Sequence, residues 1–286
     1  MIVVTGASGQ LGRLVIQALL KEVPAASIVA AVRKPASVAD LAAQGVQVRE
    51  ADYTRPDTLD AAFKGADKVL LISSSEVGQR TAQHRNVVDA VKRAGVSLLA
   101  YTSLLHADTS PLGLAAEHVA TEAAIREAGV PAVLLRNGWY TENYLASVPA
   151  ALQHGAFIGC AGTGRIASAA RADYAAAAAA VLIRSGQAGR VYELAGDTAY
   201  TLAELAEALS QASGKAIPYV DLPQHEYEAA LAGAGLPQPV AALLADSDAG
   251  AARGGLFDDG HQLSNLIGRP TTPLAQLLAE AMARSA

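Results

Sequence analysis

The chain has 286 residues, 51% of them apolar and only 17% charged, and carries a formal net charge of -5. That balance supports a sizeable buried core and excludes a disordered chain, and the lack of a basic run argues against a nucleic-acid surface. Cys160 is the only cysteine, which excludes an internal disulfide and suits a reducing compartment.

The amino terminus is the most informative segment. A short β-branched run reaches Val4, then Gly6, Gly9 and Gly12 follow at three-residue spacing, and an apolar-periodic helix begins with Leu11, Val15 and Leu19. A strand that passes through glycines into a helix is the arrangement that cradles a pyrophosphate. Gly6 serves the tight turn, Gly9 the approach to phosphate and Gly12 the close packing of the helix. The spacing differs from the usual Gly-x-Gly-x-x-Gly fingerprint, but its place directly after the first strand makes a nucleotide site the expectation.

Strands are then expected at 27–32, 46–49, 68–72, 97–102 and 132–136, with helices at 38–43, 59–63, 81–94 and 117–128 between them. That alternation predicts a doubly wound parallel sheet of the Rossmann type with right-handed crossovers. The rhythm changes after Asn137, where one helix is expected over 144–153. A helix starting near Ala172 and a strand at 190–194 return to the sheet, and a strand at 215–220 and a terminal helix to about Arg284 follow. The expected organisation is a dinucleotide-binding domain over 1–136, completed by 170–195, with 137–169 and 196–286 forming a smaller C-terminal α/β lobe over the ligand crevice. The most apolar stretch, 174–183, falls short of the ~20 residues a membrane span needs. With no basic leader before the first strand, a cytoplasmic protein without a membrane partner is expected.

The end of the second strand selects between nicotinamide cofactors. A carboxylate there favours NAD and an arginine favours the 2′-phosphate of NADP. Arg33 followed by Lys34, with no acid nearby in sequence, points to NADP. Asp52, after the third strand, either accepts from the adenine amino group or caps its turn. Ser73, Ser74 and Ser75, after the fourth strand, border the cofactor or simply serve their loop.

These features resemble the short-chain dehydrogenase/reductase superfamily, in its NmrA-like, atypical branch. The segments 70–80, 100–113, 134–140 and 254–259 are similar to a bacterial group of flavin-free, NADPH-dependent quinone oxidoreductases, and more distantly to triphenylmethane dye reductases. The resemblance implies NADP as cofactor and a quinone as substrate. It implies cofactor contacts at Gly6, Ala7, Ser8, Gly9, Gln10, Leu11, Arg33 and Ser73 to Ser75, and again at Ala169, Ala170, Arg171, Ala172, Asp173 and Tyr174. Asn137 matches a substrate-side position; its amide either donates to a quinone oxygen or caps its strand. Tyr140 and Trp139 are flat walls for the ring or core residues. A homodimer is left open, since no exposed apolar stripe identifies an interface.

One departure bears on mechanism. Most superfamily members carry Tyr-x-x-x-Lys, whose lysine lowers the tyrosine pKa for proton transfer. Here the tyrosine position falls on Leu114 and the lysine position on His118, with Ser103 expected just after its strand. No catalytic acid–base pair is therefore identified, and His118 is either a proton donor or a locally bonded helix-start residue. An electron-poor quinone accepts hydride without such a pair, so positioning becomes the main task. A regulator that senses NADP without turnover is the rival reading, and a dye reductase the narrower one. The six histidines show no ligand-type spacing, and no metal is expected.

Overall fold

The computed structural model describes residues 1–285. The chain alternates β1 (Ile2–Thr5), α1 (Gln10–Leu19), β2 (Ile28–Val32), α2 (Ala39–Ala43), β3 (Gln47–Glu50), α3 (Pro56–Phe63), β4 (Lys68–Leu71), α4 (Arg80–Ala94), β5 (Leu98–Leu104), α5 (Ala115–Ala128) and β6 (Ala132–Asn137). It continues through α6 (Thr141–Leu145), α7 (Val148–His154), β7 (Phe157–Gly159), α8 (Arg171–Ile183), β8 (Val191–Leu194), α9 (Leu202–Ser213) and β9 (Tyr219–Asp221). Four helices close it: α10 (Gln224–Gly233), α11 (Gln238–Ala252), α12 (Gln262–Ile267) and α13 (Leu274–Ser285).

Two compact units are present. One comprises Met1–Ala107, Ala116–Asn137 and Arg171–Glu193; the other comprises Asp108–Ala115, Gly138–Ala170 and the chain from Leu194 onward. The first is built on a seven-stranded sheet in the order β3-β2-β1-β4-β5-β6-β8. β1 pairs parallel with β2 and β4, β2 with β3, β4 with β5 and β5 with β6. Growth of the sheet reverses at β1, and in open α/β sheets that switch point is where the loops beyond the strand ends leave a crevice.

Alternation along the strands gives the sheet its two apolar faces. Val3, Val29, Ala31, Val69, Leu71, Leu99 and Tyr101 gather on one of them against Leu59 and Phe63 of α3 and Val87 and Val91 of α4. Phe63 is fully buried, a burial that contributes roughly 1.5–3 kcal/mol. α8 packs along α1, and its buried Ala175, Ala177, Ala178 and Ala179 lack the bulk that would hold two helices apart. The alanine block is thus a buried helix, as expected, beginning at Arg171.

In the second unit, β7 and β9 form a two-stranded parallel pair, Phe157 opposite Tyr219. Cys160, Tyr227, Leu231, Ala241 and Ala245 form its buried cluster. Asp248 on α11 ties the unit together: it accepts from the Tyr144 hydroxyl at 3.0 Å and from the Cys160 amide at 3.1 Å. Burial pushes its carboxyl up to about 6. No helix among the described residues is long and apolar enough to cross a membrane.

Several expected boundaries are corrected. The helix expected over 144–153 is two helices, α6 and α7, because Pro149 sits in the first turn of α7, where its missing N–H costs nothing. The strand expected over 215–220 shrinks to Tyr219–Asp221. Ser210 Oγ holds both the N–H and the carbonyl of Ile217, and Pro218 has no donor for a ladder. Its partner β7 is too short to announce itself by pattern. β5 runs on to Leu104, so Ser103 lies inside the strand rather than after it.

Candidate functional site

The turn after β1 explains all three glycines. Gly6 has φ +59°, in the left-handed region that a side chain disfavours, and the Gly9 amide donates back to its carbonyl at 2.9 Å. A Cβ on Gly12 would lie 2.5 Å from the Gly6 oxygen and 2.7 Å from Ala7 Cα, so α1 can approach the loop only without one. Gly9 is the N-cap of α1 and offers no capping side chain. The first amides of α1 are therefore left to bind an anion, reinforced by the helix dipole.

A cleft of about 370 Å³ opens over the ends of β1, β2 and β4. Its size falls within the range of small-molecule sites. Gly6, Ser8, Gly9, Arg33, Ser73, Ser74 and Ser75, all expected at the cofactor, line it. Ala7 and Leu11 are buried instead, and Gln10 accepts a hydrogen bond from Arg171 Nη1 at the start of α8. The other predicted residues of that segment divide differently. Ala172 is exposed, Asp173 and Tyr174 are buried in the first unit, and Ala169 and Ala170 are buried in the second.

The cleft residues that were not foreseen include Tyr53, Glu76 and Gln83. The Tyr53 hydroxyl donates to Ile72 O at 2.8 Å and meets Thr5 Oγ1, and burial pushes the phenol well above its ordinary value. Glu76 supplies in space the acid that the sequence around Arg33 lacks: its Oε1 is 2.8 Å from Arg33 Nη1, and its Oε2 accepts from Gln83 Nε2 at 2.7 Å. The pairing spans 43 residues of sequence but follows from strand order, since β2 and β4 flank β1 and their following loops meet over its end. Asp52 accepts from the amide and hydroxyl of Thr54, which hold its carboxyl below the usual range; it caps its turn and also lines the cleft.

The serine loop is fixed by a buried polar chain. The Ser73 amide donates to Thr102 Oγ1 at 2.8 Å, and Arg80 Nε donates to the Ser74 carbonyl at 2.6 Å. The Ser74 amide donates to His84 Nε2 at 2.9 Å. His84 Nδ1 must then carry the proton, which it gives to Thr121 Oγ1 at 2.9 Å, while that hydroxyl donates to the Glu117 carbonyl. Burial, with Arg80 adding to it, lowers His84 to about 4. His118 lies 5% exposed on α5 with Nδ1 bonded to the Tyr101 hydroxyl, and burial, followed by the Arg80 charge, lowers it to about 3. His118 is therefore neutral near pH 7, and its bond is to a strand residue 17 positions away rather than within its own helix start.

At the end of β6, Asn137 is 6% exposed and its Oδ1 is buried without a hydrogen-bond partner among the described residues. Its neighbour Arg136 donates to both oxygens of Glu122 and to Glu193 Oε1 at 2.8–3.0 Å. Ser103 Oγ also bonds Glu122, so that serine is committed to this cluster. Leu114 sits just before α5, and no tyrosine–lysine pair is present on that helix. Tyr140, half-buried, begins α6 in the second unit, where Trp139 is buried against Tyr144 with ring centres 6.4 Å apart.

Residues 1–257 match the model of the NmrA-like family. The chain is 61% identical to quinone oxidoreductase 2 of Escherichia coli K12 over 96% of both chains. The crystal structure of the E. coli NADPH-dependent quinone oxidoreductase QOR2 complexed with NADPH superposes with a TM-score of 0.96 at 60% identity. That match covers 99% of this chain and all of the other. Triphenylmethane reductase of Citrobacter sp., complexed with NADP(H), superposes with a TM-score of 0.95 at 40% identity, over 98% of this chain and all of that one. The family match over residues 1–257 and the 61% identity along nearly the whole chain place it plainly: this chain is a member of the NmrA-like family.

Proposed function

We propose that the protein is an NADPH-dependent quinone oxidoreductase that moves two electrons as hydride without a Tyr-x-x-x-Lys pair. The observation that carries this reading is its likeness, along nearly the whole chain, to the E. coli enzyme. The cleft fits the cofactor on its own terms. Gly12 admits no Cβ, the amides of α1 lack a capping side chain, and Arg33 stands at the end of β2, where a 2′-phosphate is selected.

Reduced nicotinamide, when bound, supplies the hydride. Gly6, Ser8 and Gly9 would hold the diphosphate and Arg33 the 2′-phosphate, while Ser73 and Ser74, fixed by Thr102, His84 and Arg80, and Ser75 would border the rest of the cofactor. Asn137, at the end of β6, orients the quinone. The quinone gains a hydride and one proton to become the hydroquinone. His118, held neutral by its burial, is not a cationic donor of that proton, which comes from water or a nearby donor. The catalytic contribution of the chain is therefore proximity and orientation. The buried lone cysteine suits a cytoplasmic location.

Purified, flavin-free protein should oxidise NADPH, followed at 340 nm, only when a small soluble quinone is added, with NADH a poorer donor. Tight NADPH binding with no turnover would instead favour the sensing reading. The likeness to triphenylmethane reductase makes cationic dyes the second acceptor class for the same assay.

A further inference from the structure

We propose that Glu76 is a second cofactor-selecting residue, acting in opposition to Arg33. This inference rests on the assignment of Arg33 to the 2′-phosphate. In the cleft, Arg33 is bonded to Glu76 Oε1 at 2.8 Å, although its side chain is 68% exposed. Glu76 is itself held in place: Gln83 Nε2 donates to its other oxygen, and its amide donates to Ser74 Oγ at 3.1 Å. Asp52, on the same cleft wall, adds a second negative charge near Arg33.

A phosphate at the Arg33 guanidinium and a carboxylate at the same nitrogen compete for one donor. A cofactor bearing a 2′-phosphate must displace Glu76, at the cost of one charge-assisted bond and of a like charge close by. A cofactor with a 2′-hydroxyl leaves the ion pair intact. Glu76 thus keeps Arg33 pointing into the cleft and at the same time limits the preference for NADPH. The side chains are partly solvated, so the opposition is moderate and screened by salt.

The test is a double-mutant cycle read by calorimetric binding to the full-length protein. The ligands are NADPH, NADH, and the fragments adenosine 2′,5′-bisphosphate and 5′-AMP. Glu76→Gln keeps an acceptor for Gln83 and removes the charge. It should tighten NADPH and the bisphosphate about three- to tenfold at low salt, with NADH and 5′-AMP unchanged within twofold. The gain should shrink to less than half on an Arg33→Ala background and fade at high salt. Equal shifts for both cofactors, no shift, or weaker NADPH binding would overturn the role of Glu76. If Arg33→Ala leaves bisphosphate affinity unchanged, the assignment of Arg33 itself fails; if it costs tenfold or more while Glu76→Gln does nothing, only the present inference fails. Thermal melts of each variant confirm that the comparison is between folded proteins.

Discussion

The Tyr101 hydroxyl lies 2.7 Å from Nδ1 of His118, joining the middle of β5 to the first turn of α5. The imidazole there is buried and neutral, as is that of His84, whose ring stands edge-on to the same tyrosine with centres 5.5 Å apart.

Both histidines therefore make the protein acid-sensitive. Their folded values, about 3 and about 4, lie below the ordinary 6.5, so the unfolded chain binds more protons between those limits. Their contribution is fully present above pH 6.5 and is lost as pH falls through 5 toward 4, at roughly 1.4 kcal/mol per histidine per pH unit. Thermal melts of the wild type should decline more steeply from pH 7 to 4.5 than those of a His84→Gln/His118→Gln variant. Parallel declines would show that the two rings titrate freely.

The glycine turn makes a sharper prediction. Gly12→Ala places its methyl group against the backbone of Gly6 and Ala7, which cannot rotate away. The strain should cost about 1–3 kcal/mol of stability and open the loop. A lowered melting temperature together with at least tenfold weaker NADPH binding is expected; Gly95→Ala, at a helix end with nothing within 4 Å, should leave NADPH affinity intact.

Arg136 is the charge on which the ends of β5 and β6 depend. Glu122 is 4% exposed and would be stranded by Arg136→Met, a loss expected to cost about 3–5 kcal/mol. Replacing Glu122 with methionine as well should recover a substantial part of that loss in urea denaturation. A double variant as unstable as the single one would assign the loss to packing alone.

Asn137→Ala removes the side chain assigned to the quinone but none of those lining the cofactor cleft. It should lower kcat/KM for quinone about tenfold while the NADPH dissociation constant stays within twofold. A matching loss for NADPH would move Asn137 to the cofactor.

Much of the first unit was legible because its signals are local. A strand, three glycines and an apolar-periodic helix occupy consecutive residues, and Val69 to Leu71 read as a strand covered on both faces. Arg33 was legible as a cleft residue for the same reason: it directly follows its strand. Glu76 was not, since its nearness to Arg33 exists only once β1 lies between β2 and β4. The missed signal was modest but present, because Glu76 sits two residues past Ser74 in a loop already assigned to the cofactor. The chain from Ser74 through His84 to Thr121 joins a loop and two helices, which no spacing rule reveals. In the second unit, three-residue strands such as β7 carry too few positions for an alternation to register.

Single-turnover reaction with NADPH deuterated at C4 reports whether hydride passes straight from the nicotinamide to the quinone. Flavin-free protein mixed with a soluble quinone should lose absorbance at 340 nm and form hydroquinone one for one, with a primary isotope effect on a single phase. NADPH bound tightly but left unoxidised by any quinone, or oxidised only after flavin is added, would contradict direct hydride transfer.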